Sequence, residues 1–224
     1  MVSKQPWMLV LLVLIIVSLE SRWSEGCLEQ ERFALLHLKP FFNTLHDLDS
    51  WVEGDHNNSD CCQWDWLECN HTTGKVISLD LYGTRDEEMG EWYLNASLFS
   101  PFQQLHTLYL GGNSIAGCVK NHGFDKLSTL NSLEELYLND NSFNSSILSS
   151  LSTISSLKKL LLNDNKLKRI VDLQGLRLRN LEYLDLSSNI FNSNNLSSLS
   201  VLSSLKALYL ENAGLEGSID LSGY

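Results

Sequence analysis

The pattern Leu-x-x-Leu-x-Leu begins at Leu105, Leu133, Leu157, Leu181 and Leu205, so successive copies are 28, 24, 24 and 24 residues apart. Four of the copies continue x-x-Asn, ending at Asn113, Asn141, Asn165 and Asn189; the fifth has Ala213 in that place and Asn212 one residue early. A fixed period of this length constrains the fold more than any other feature of the chain. Each unit has an apolar face that it cannot cover alone, so the units must stack into a solenoid in which neighbours cover one another. Within Leu-x-Leu the two leucines point into the core and the residue between them faces out. Each buried leucine contributes about 1.5–3 kcal/mol. The asparagines end the strand, and an amide has both donors and an acceptor, so a stack of them can satisfy backbone groups left unpaired by the tight turn. A stacked array of this kind presents one long surface, which points to binding rather than catalysis.

Residues 74–81 read as a first, degenerate copy, in which Leu79-Asp80-Leu81 aligns with Leu108-Tyr109-Leu110 across a gap of 29. The surplus over 24 falls in residues 82–101 and 115–130, where loops or a longer convex side are expected. After each asparagine comes Phe143, Leu167, Phe191 or Leu215, followed by serine-rich stretches whose leucines recur every three to four residues. That spacing predicts short helical or 3₁₀ turns on the convex side. The outward column on the concave face is Asp80, Tyr109, Tyr137, Leu161, Asp185 and Tyr209, flanked by Glu135, Lys159, Tyr183, Asn139, Asn163 and Glu211. These are the candidate binding residues. Tyrosines on a rigid scaffold offer large contact area at low entropy cost, although strands favour tyrosine for packing reasons alone.

The N-terminal residues 1–26 read as a signal peptide: Lys4 is the positive end, residues 8–17 are an unbroken apolar run, and Ser24 and Gly26 suit cleavage before Cys27. The run is shorter than the roughly 20 residues a membrane span needs, and no other segment is long and apolar enough. The net charge of −11 argues against nucleic acid, whose phosphates demand basic patches. All five cysteines follow the signal segment, and in an oxidising compartment disulfides are expected for Cys27, Cys61, Cys62 and Cys69. Adjacent Cys61 and Cys62, with Cα atoms about 3.8 Å apart, are too close to bond each other. Two pairings remain, Cys27–Cys61 with Cys62–Cys69 and the crossed alternative, and the uncrossed one is favoured. Its longer loop is worth about 3–4 kcal/mol in the chain-entropy model. Zinc held by Cys61, Cys62, Cys69 and His71 is the rival reading. Cys118 is left over, as a partly buried thiol or an intermolecular bridge. Sequons at Asn57, Asn70, Asn95, Asn144 and Asn195 fit a glycoprotein, with Asn70 crowded by Cys69.

Residues 27–72 do not repeat. Leu28, Leu35, Leu36 and Leu38 among charges predict a short amphipathic helix over residues 28–39 that ends before Pro40. Trp51, Trp64 and Trp66 are expected in the core of a small disulfide-held cap. The run Cys27-x-x-x-Glu31-Arg32-x-Ala34-Leu35-Leu36-x-x-Lys39, then Trp51, then Asp60-Cys61-Cys62-x-Trp64, then Cys69 with Val76-Ile77-x-Leu79-x-Leu81, resembles the N-terminal cap of plant leucine-rich-repeat receptor-like proteins. Residues 94–102 leading into Leu105 look like the early ectodomain of the same family. The resemblance implies an α/β fold: a leucine-rich-repeat solenoid with a curved parallel sheet on its concave face, a disulfide-bonded plant-type cap over 27–72 and repeats over 73–224. It also implies the ligand-sensing ectodomain of a plasma-membrane receptor in plant defence or development. Its partners would be an extracellular peptide, glycan or protein and a partner receptor kinase, without a cofactor. Two departures stand out: Trp66 occupies a position where many relatives have Gly, and the Ile-Pro of the repeat is missing, as at Ile219-Asp220. The chain stops at Tyr224 inside a sixth repeat, so a truncated portion is the expectation. A secreted inhibitor of a pathogen polygalacturonase, which shares the cap, is the alternative; the 28–29 gaps count against it. The six histidines are scattered with no nucleophile or paired carboxylates, so neither catalytic nor metal residues are expected.

Overall fold

A computed structural model describes residues 27–54, 60–168, 176, 178–191 and 197–215; the signal segment and the sequons at Asn57 and Asn195 lie outside them. The chain opens with helix α1 (Glu29–Phe42). Strands β1 (Leu67–Cys69) and β2 (Val76–Asp80) form an antiparallel hairpin. From β2 onward the sheet is parallel, through β4 (Thr107–Tyr109), β6 (Glu135–Tyr137), β7 (Lys159–Leu161), β8 (Tyr183–Asp185) and β9 (Ala207–Tyr209). The register follows the leucine pattern residue for residue: Leu79 pairs with Leu108, Leu108 with Leu136, Leu136 with Leu160, Leu160 with Leu184 and Leu184 with Leu208. This is the stacked, curved sheet of a leucine-rich-repeat solenoid. Strands β3 (Trp92–Leu94) and β5 (Ile115–Cys118) make a second, two-stranded parallel sheet.

The surplus residues therefore do more than lengthen loops. Residues 82–101 carry a 3₁₀ turn (Glu87–Met89), β3 and a second turn (Ala96–Phe99). Residues 115–130 carry β5 and the turn Phe124–Thr129. Opposite the main sheet, short turns stack their apolar side chains, as in helix α2 (Ile147–Leu151), with Ile147, Leu148 and Leu151 buried. Phe124 and Phe143 meet edge to face at 5.8 Å between those turns.

Helix α1 does not stop before Pro40 but runs two residues past it. Proline in the last turn removes only the one hydrogen bond that its missing N–H would have made to Leu36. The tertiary contacts outweigh that loss: Phe42 is fully buried, and Phe41 and Phe42 stack flat and edge-on against Trp92 at 5.9 and 5.4 Å. Trp51 and Trp64 stack at 5.9 Å in the cap core, and the Trp51 indole N–H donates to Asp65 O at 2.9 Å. Trp66 departs from the core expectation, at 48% exposure. It holds φ = 68°, a left-handed backbone that costs a side-chain-bearing residue roughly 1–2 kcal/mol and that a glycine would adopt freely. The indole N–H of Trp66 donates to Asp47 O at 2.9 Å, which offsets part of that strain.

Glu31 is fully buried with its Oε2 accepting the Val76 N–H at 3.1 Å, tying α1 to β2, while Oε1 has no partner among the described residues. Burial raises its pKa above the ordinary carboxylate value, opposed by the Val76 hydrogen bond and the Lys75 charge. A carboxylate with a raised folded-state pKa is favourable when protonated and loses that advantage as pH rises through the folded value. Glu31→Gln keeps the acceptor without the charge. It is expected to raise the melting temperature at pH 7 and to raise it less at pH 4, measured by thermal denaturation. A lower melting temperature at pH 7 would show that the charge itself stabilises the cap.

Candidate functional site

The open face of the main sheet is built by the strand alternation. The leucines of each Leu-x-Leu are buried through Leu186, and Leu208 and Leu210 of the last copy are partly buried; the intervening residue is turned outward, which places Asp80, Tyr109, Tyr137, Leu161, Asp185 and Tyr209 in one cross-strand column by their register. Tyr109 and Tyr137 stack at 4.3 Å between ring centroids. The Tyr137 hydroxyl donates to Glu135 Oε2 at 2.6 Å and accepts from Lys159 Nζ at 2.8 Å, and that ammonium also lies 4.8 Å from the ring centroid. Burial and the adjacent Glu135 carboxylate push the Tyr137 hydroxyl well above the ordinary tyrosine range. It therefore stays a neutral donor at any physiological pH. Asp80 is half-buried and its carboxyl is raised by that burial, against the Tyr82 N–H it accepts at 2.8 Å. Tyr209 stands 50% exposed at the far end.

The sheet is held rigid by the asparagine ladder. Nδ2 of Asn165 donates to Leu138 O of the preceding repeat at 2.9 Å and to Leu162 O and Asn163 O of its own at 3.2 and 3.1 Å; Oδ1 accepts from Phe143 N at 2.9 Å. Asn113, Asn141 and Asn189 repeat the arrangement, bridging to Leu81 O, Leu110 O and Leu162 O. The residue before each of these positions has positive φ: Gly112 (67°), Asp140 (52°), Asp164 (52°), Ser188 (53°) and Asn212 (51°). That run escaped the sequence reading, although its signal was present: the position holds Gly, Asp, Asp, Ser and Asn, mostly types that tolerate a left-handed backbone. At Ala213 the ladder side chain is gone, but the turn keeps its left-handed residue in Asn212, and Ala213 O accepts from Phe191 N at 3.0 Å. Gly111 is required for a different reason. A Cβ there would sit 2.7 Å from the Tyr82 ring, whose hydroxyl reaches across to Asp140 Oδ2 at 3.0 Å.

Charges along the two ends of the strands are unlike. Toward the N-terminal ends, Lys158 pairs with Glu134 and Lys206 with Glu182, each at 2.7 Å; solvent screens exposed pairs of this kind, so they add little stability. Toward the C-terminal ends stand Asp80, Asp140, Asp164 and Asp185.

The cysteines pair as Cys27–Cys61 and Cys62–Cys69, with Cα atoms 5.5 and 5.6 Å apart. The zinc reading falls with them, since all three of its cysteines are consumed. Asp60 braces the junction by accepting from both Cys27 N and Cys62 N, at 3.1 and 2.9 Å. Cys118 is a free, half-buried thiol on β5, and desolvation pushes its pKa up to about 12, so it is a poor nucleophile. Of the described sequons, Asn70 follows β1, Asn95 follows β3 and Asn144 lies beside the small sheet, none within a strand of the main sheet. Among the described residues no group of His, Cys, Asp and Glu is placed to hold a metal, and no helix is long and apolar enough to cross a membrane.

Comparison with known proteins matches this architecture. Residues 28–70 match the leucine rich repeat N-terminal domain and residues 132–154 the Leucine Rich Repeat family. Receptor-like protein 9b of Arabidopsis thaliana is 36% identical over 178 residues, covering 76% of this chain and 18% of the relative. Cuscuta receptor 1 of Solanum lycopersicum is 40% identical over 131 residues, covering 56% of this chain and 11% of the relative. The chain thus spans less than a fifth of the length of these relatives. The Arabidopsis receptor kinase HAESA, solved with the peptide hormone IDA and the co-receptor SERK1, superposes with a TM-score of 0.64 at 28% identity, over 82% of this chain and 29% of that one. The BIR2 ectodomain from Arabidopsis thaliana has a TM-score of 0.59 at 22% identity, over 80% of this chain and 94% of its own, a likeness of fold alone. With a cap and repeats of the plant type, the chain is similar to the plant leucine-rich-repeat proteins and, among them, to the N-terminal portion of the receptor-like proteins.

Proposed function

We propose that this chain forms the cap-proximal part of the extracellular, ligand-sensing surface of a plant receptor-like protein that signals through a partner receptor kinase. The observation that carries the reading is the stacked Tyr109–Tyr137 pair, fixed by Glu135 and Lys159 on a rigid sheet. Preorganised aromatic area of this kind binds without an ordering cost. The chemistry is recognition, not catalysis. Because the lysines at one end of the strands are already engaged, the aspartates at the other end, hydrogen-bonded but without a cationic partner among the described residues, favour a ligand segment carrying Lys or Arg. Receptor-like relatives and a peptide-bound receptor kinase support a peptide or protein ligand over a small substrate.

The purified secreted chain is to be screened by surface binding against cationic secreted peptides, cell-wall oligosaccharides and co-receptor kinase ectodomains. A ligand of the open face is expected to lose about tenfold or more in affinity with Tyr137→Ala, the loss of one hot-spot anchor. The far-UV spectrum should be unchanged. Binding that survives both Tyr109→Ala and Tyr137→Ala removes the open face as the site. A polygalacturonase inhibition assay tests the secreted-inhibitor alternative, and clear inhibition at micromolar chain would replace the receptor reading with it.

A further inference from the structure

Asparagine is used in two opposite ways in this chain. In the ladder the amide nitrogen is fully committed, with three carbonyls on Nδ2 of Asn141 and of Asn165. At the described sequons the oxygen is committed instead. Oδ1 of Asn70 accepts from Thr72 N, that of Asn95 from Ser97 N and that of Asn144 from Ser146 N, at 2.9, 3.1 and 2.9 Å. Their Nδ2 groups donate to nothing among the described residues. An N-linked sugar replaces one Nδ2 hydrogen and leaves the oxygen free to accept, so these three turns tolerate the modification while the ladder would not.

Asn144 has something more beside it. A groove of about 580 Å³ opens on the flank of the solenoid, and Asn144 is part of its wall together with Glu91, Tyr93, Ser142, Lys166 and Ile190. Glu91 and Lys166 form an ion pair across it. Tyr93 is 63% exposed and Ile190 is 75% exposed, an unusual concentration of apolar area beside polar rims. The Tyr93 ring is held over the backbone of Gly117, 3.3 Å from where a Cβ would stand. A pyranose ring has the same mixed character, an apolar C–H face with a hydroxyl rim, and aromatic faces receive it by stacking. A sugar anchored in the groove wall also has an effective local concentration in the millimolar range, so weak stacking is enough to seat it.

We propose that Asn144 carries an N-linked oligosaccharide whose first N-acetylglucosamine lies in this groove against Tyr93. The inference rests on the extracellular reading only for entry into the secretory pathway. There a lipid-diphosphate-linked oligosaccharide is the donor. The bond from sugar C1 to the diphosphate oxygen breaks, a C1–Nδ2 bond forms, and the Nδ2 proton leaves with the lipid diphosphate. Transfer precedes folding, so the structure decides only where the glycan rests. With Asn70 and Asn95 it would place glycans outside the strands of the main sheet.

The test uses the full chain secreted from plant cells, with intact mass and glycopeptide mapping. Asn144 is expected to be occupied, and Ser146→Ala, which removes the sequon but keeps Asn144, is expected to lower the mass by one glycan. Tyr93→Ala should lower the melting temperature of the glycosylated chain by about 2–4 °C and leave the Ser146→Ala chain unshifted. A secreted chain modified at Asn70 or Asn95 but bare at Asn144 overturns the proposal. So does a Tyr93→Ala shift that is equal in the two backgrounds. A chain that is retained in the cell with no sequon modified sinks the extracellular reading instead.

Discussion

Replacing Asn165 by Asp is expected to destabilise the fold by about 3–5 kcal/mol at pH 7, the cost of leaving a buried charge without a counterion. The exchange is nearly isosteric, so packing hardly enters. What changes is the donor count. Nδ2 of Asn165 donates to Leu138 O, Leu162 O and Asn163 O, and an ionised carboxylate would present an acceptor to three other acceptors. The loss is expected to shrink as pH falls. An aspartate in that setting has its folded pKa raised above the ordinary value near 4, so it is favourable when protonated and the penalty grows as pH rises through the folded value. Urea unfolding at pH 4 and pH 7 reads the difference directly. Asn165→Leu is the control, destabilising through the orphaned carbonyls at about 1–3 kcal/mol for a buried group left unpaired and without pH dependence. An Asp variant no worse than the Leu variant at pH 7 would show that the ladder tolerates charge.

Leu160→Ala tests the apolar half of the same design, and about 2–5 kcal/mol is expected. Leu160 is fully buried in the strand that sits between Leu136 and Leu184 in register. Neighbouring repeats are fixed by the ladder and cannot collapse into the space, which places the cost in the upper part of that range. Because contacts in a solenoid run only between neighbours, hydrogen exchange should loosen most in β6, β7 and β8 and leave the cap protected. Uniform loss of protection along the chain would mean that cap and repeats unfold as one cooperative unit. A loss below about 1 kcal/mol would mean that the site repacks.

The main sheet, its register and its open face were legible because each depends on residues about 24 apart, and stacking turns that period into contact. The alignment of Leu79-Asp80-Leu81 with Leu108-Tyr109-Leu110 across 29 residues survives as strand pairing, since surplus residues leave the sheet without disturbing it. Other features were not legible from local pattern. Helix α1 passes Pro40 because Phe42 finds a buried seat, a contact no propensity encodes. The strain at Trp66 showed in the sequence only as a departure from a family pattern; its cause is a left-handed backbone at the entry to β1.

By itself, the sequence determined that these units stack, which leucines turn inward and which side chains share the open face, because alternation and period are local properties of a chain. Tertiary structure alone decided which atom of each asparagine is spoken for, that residues 92–94 and 115–118 pair into a second sheet, and that Tyr93, Asn144 and Lys166 meet in one groove. The last two outcomes join segments that lie outside the repeated leucine pattern. Tyr93 and Gly117, like Leu94 and Cys118, are 24 residues apart, but no shared motif marks the two strands, so only the packed chain shows that they pair.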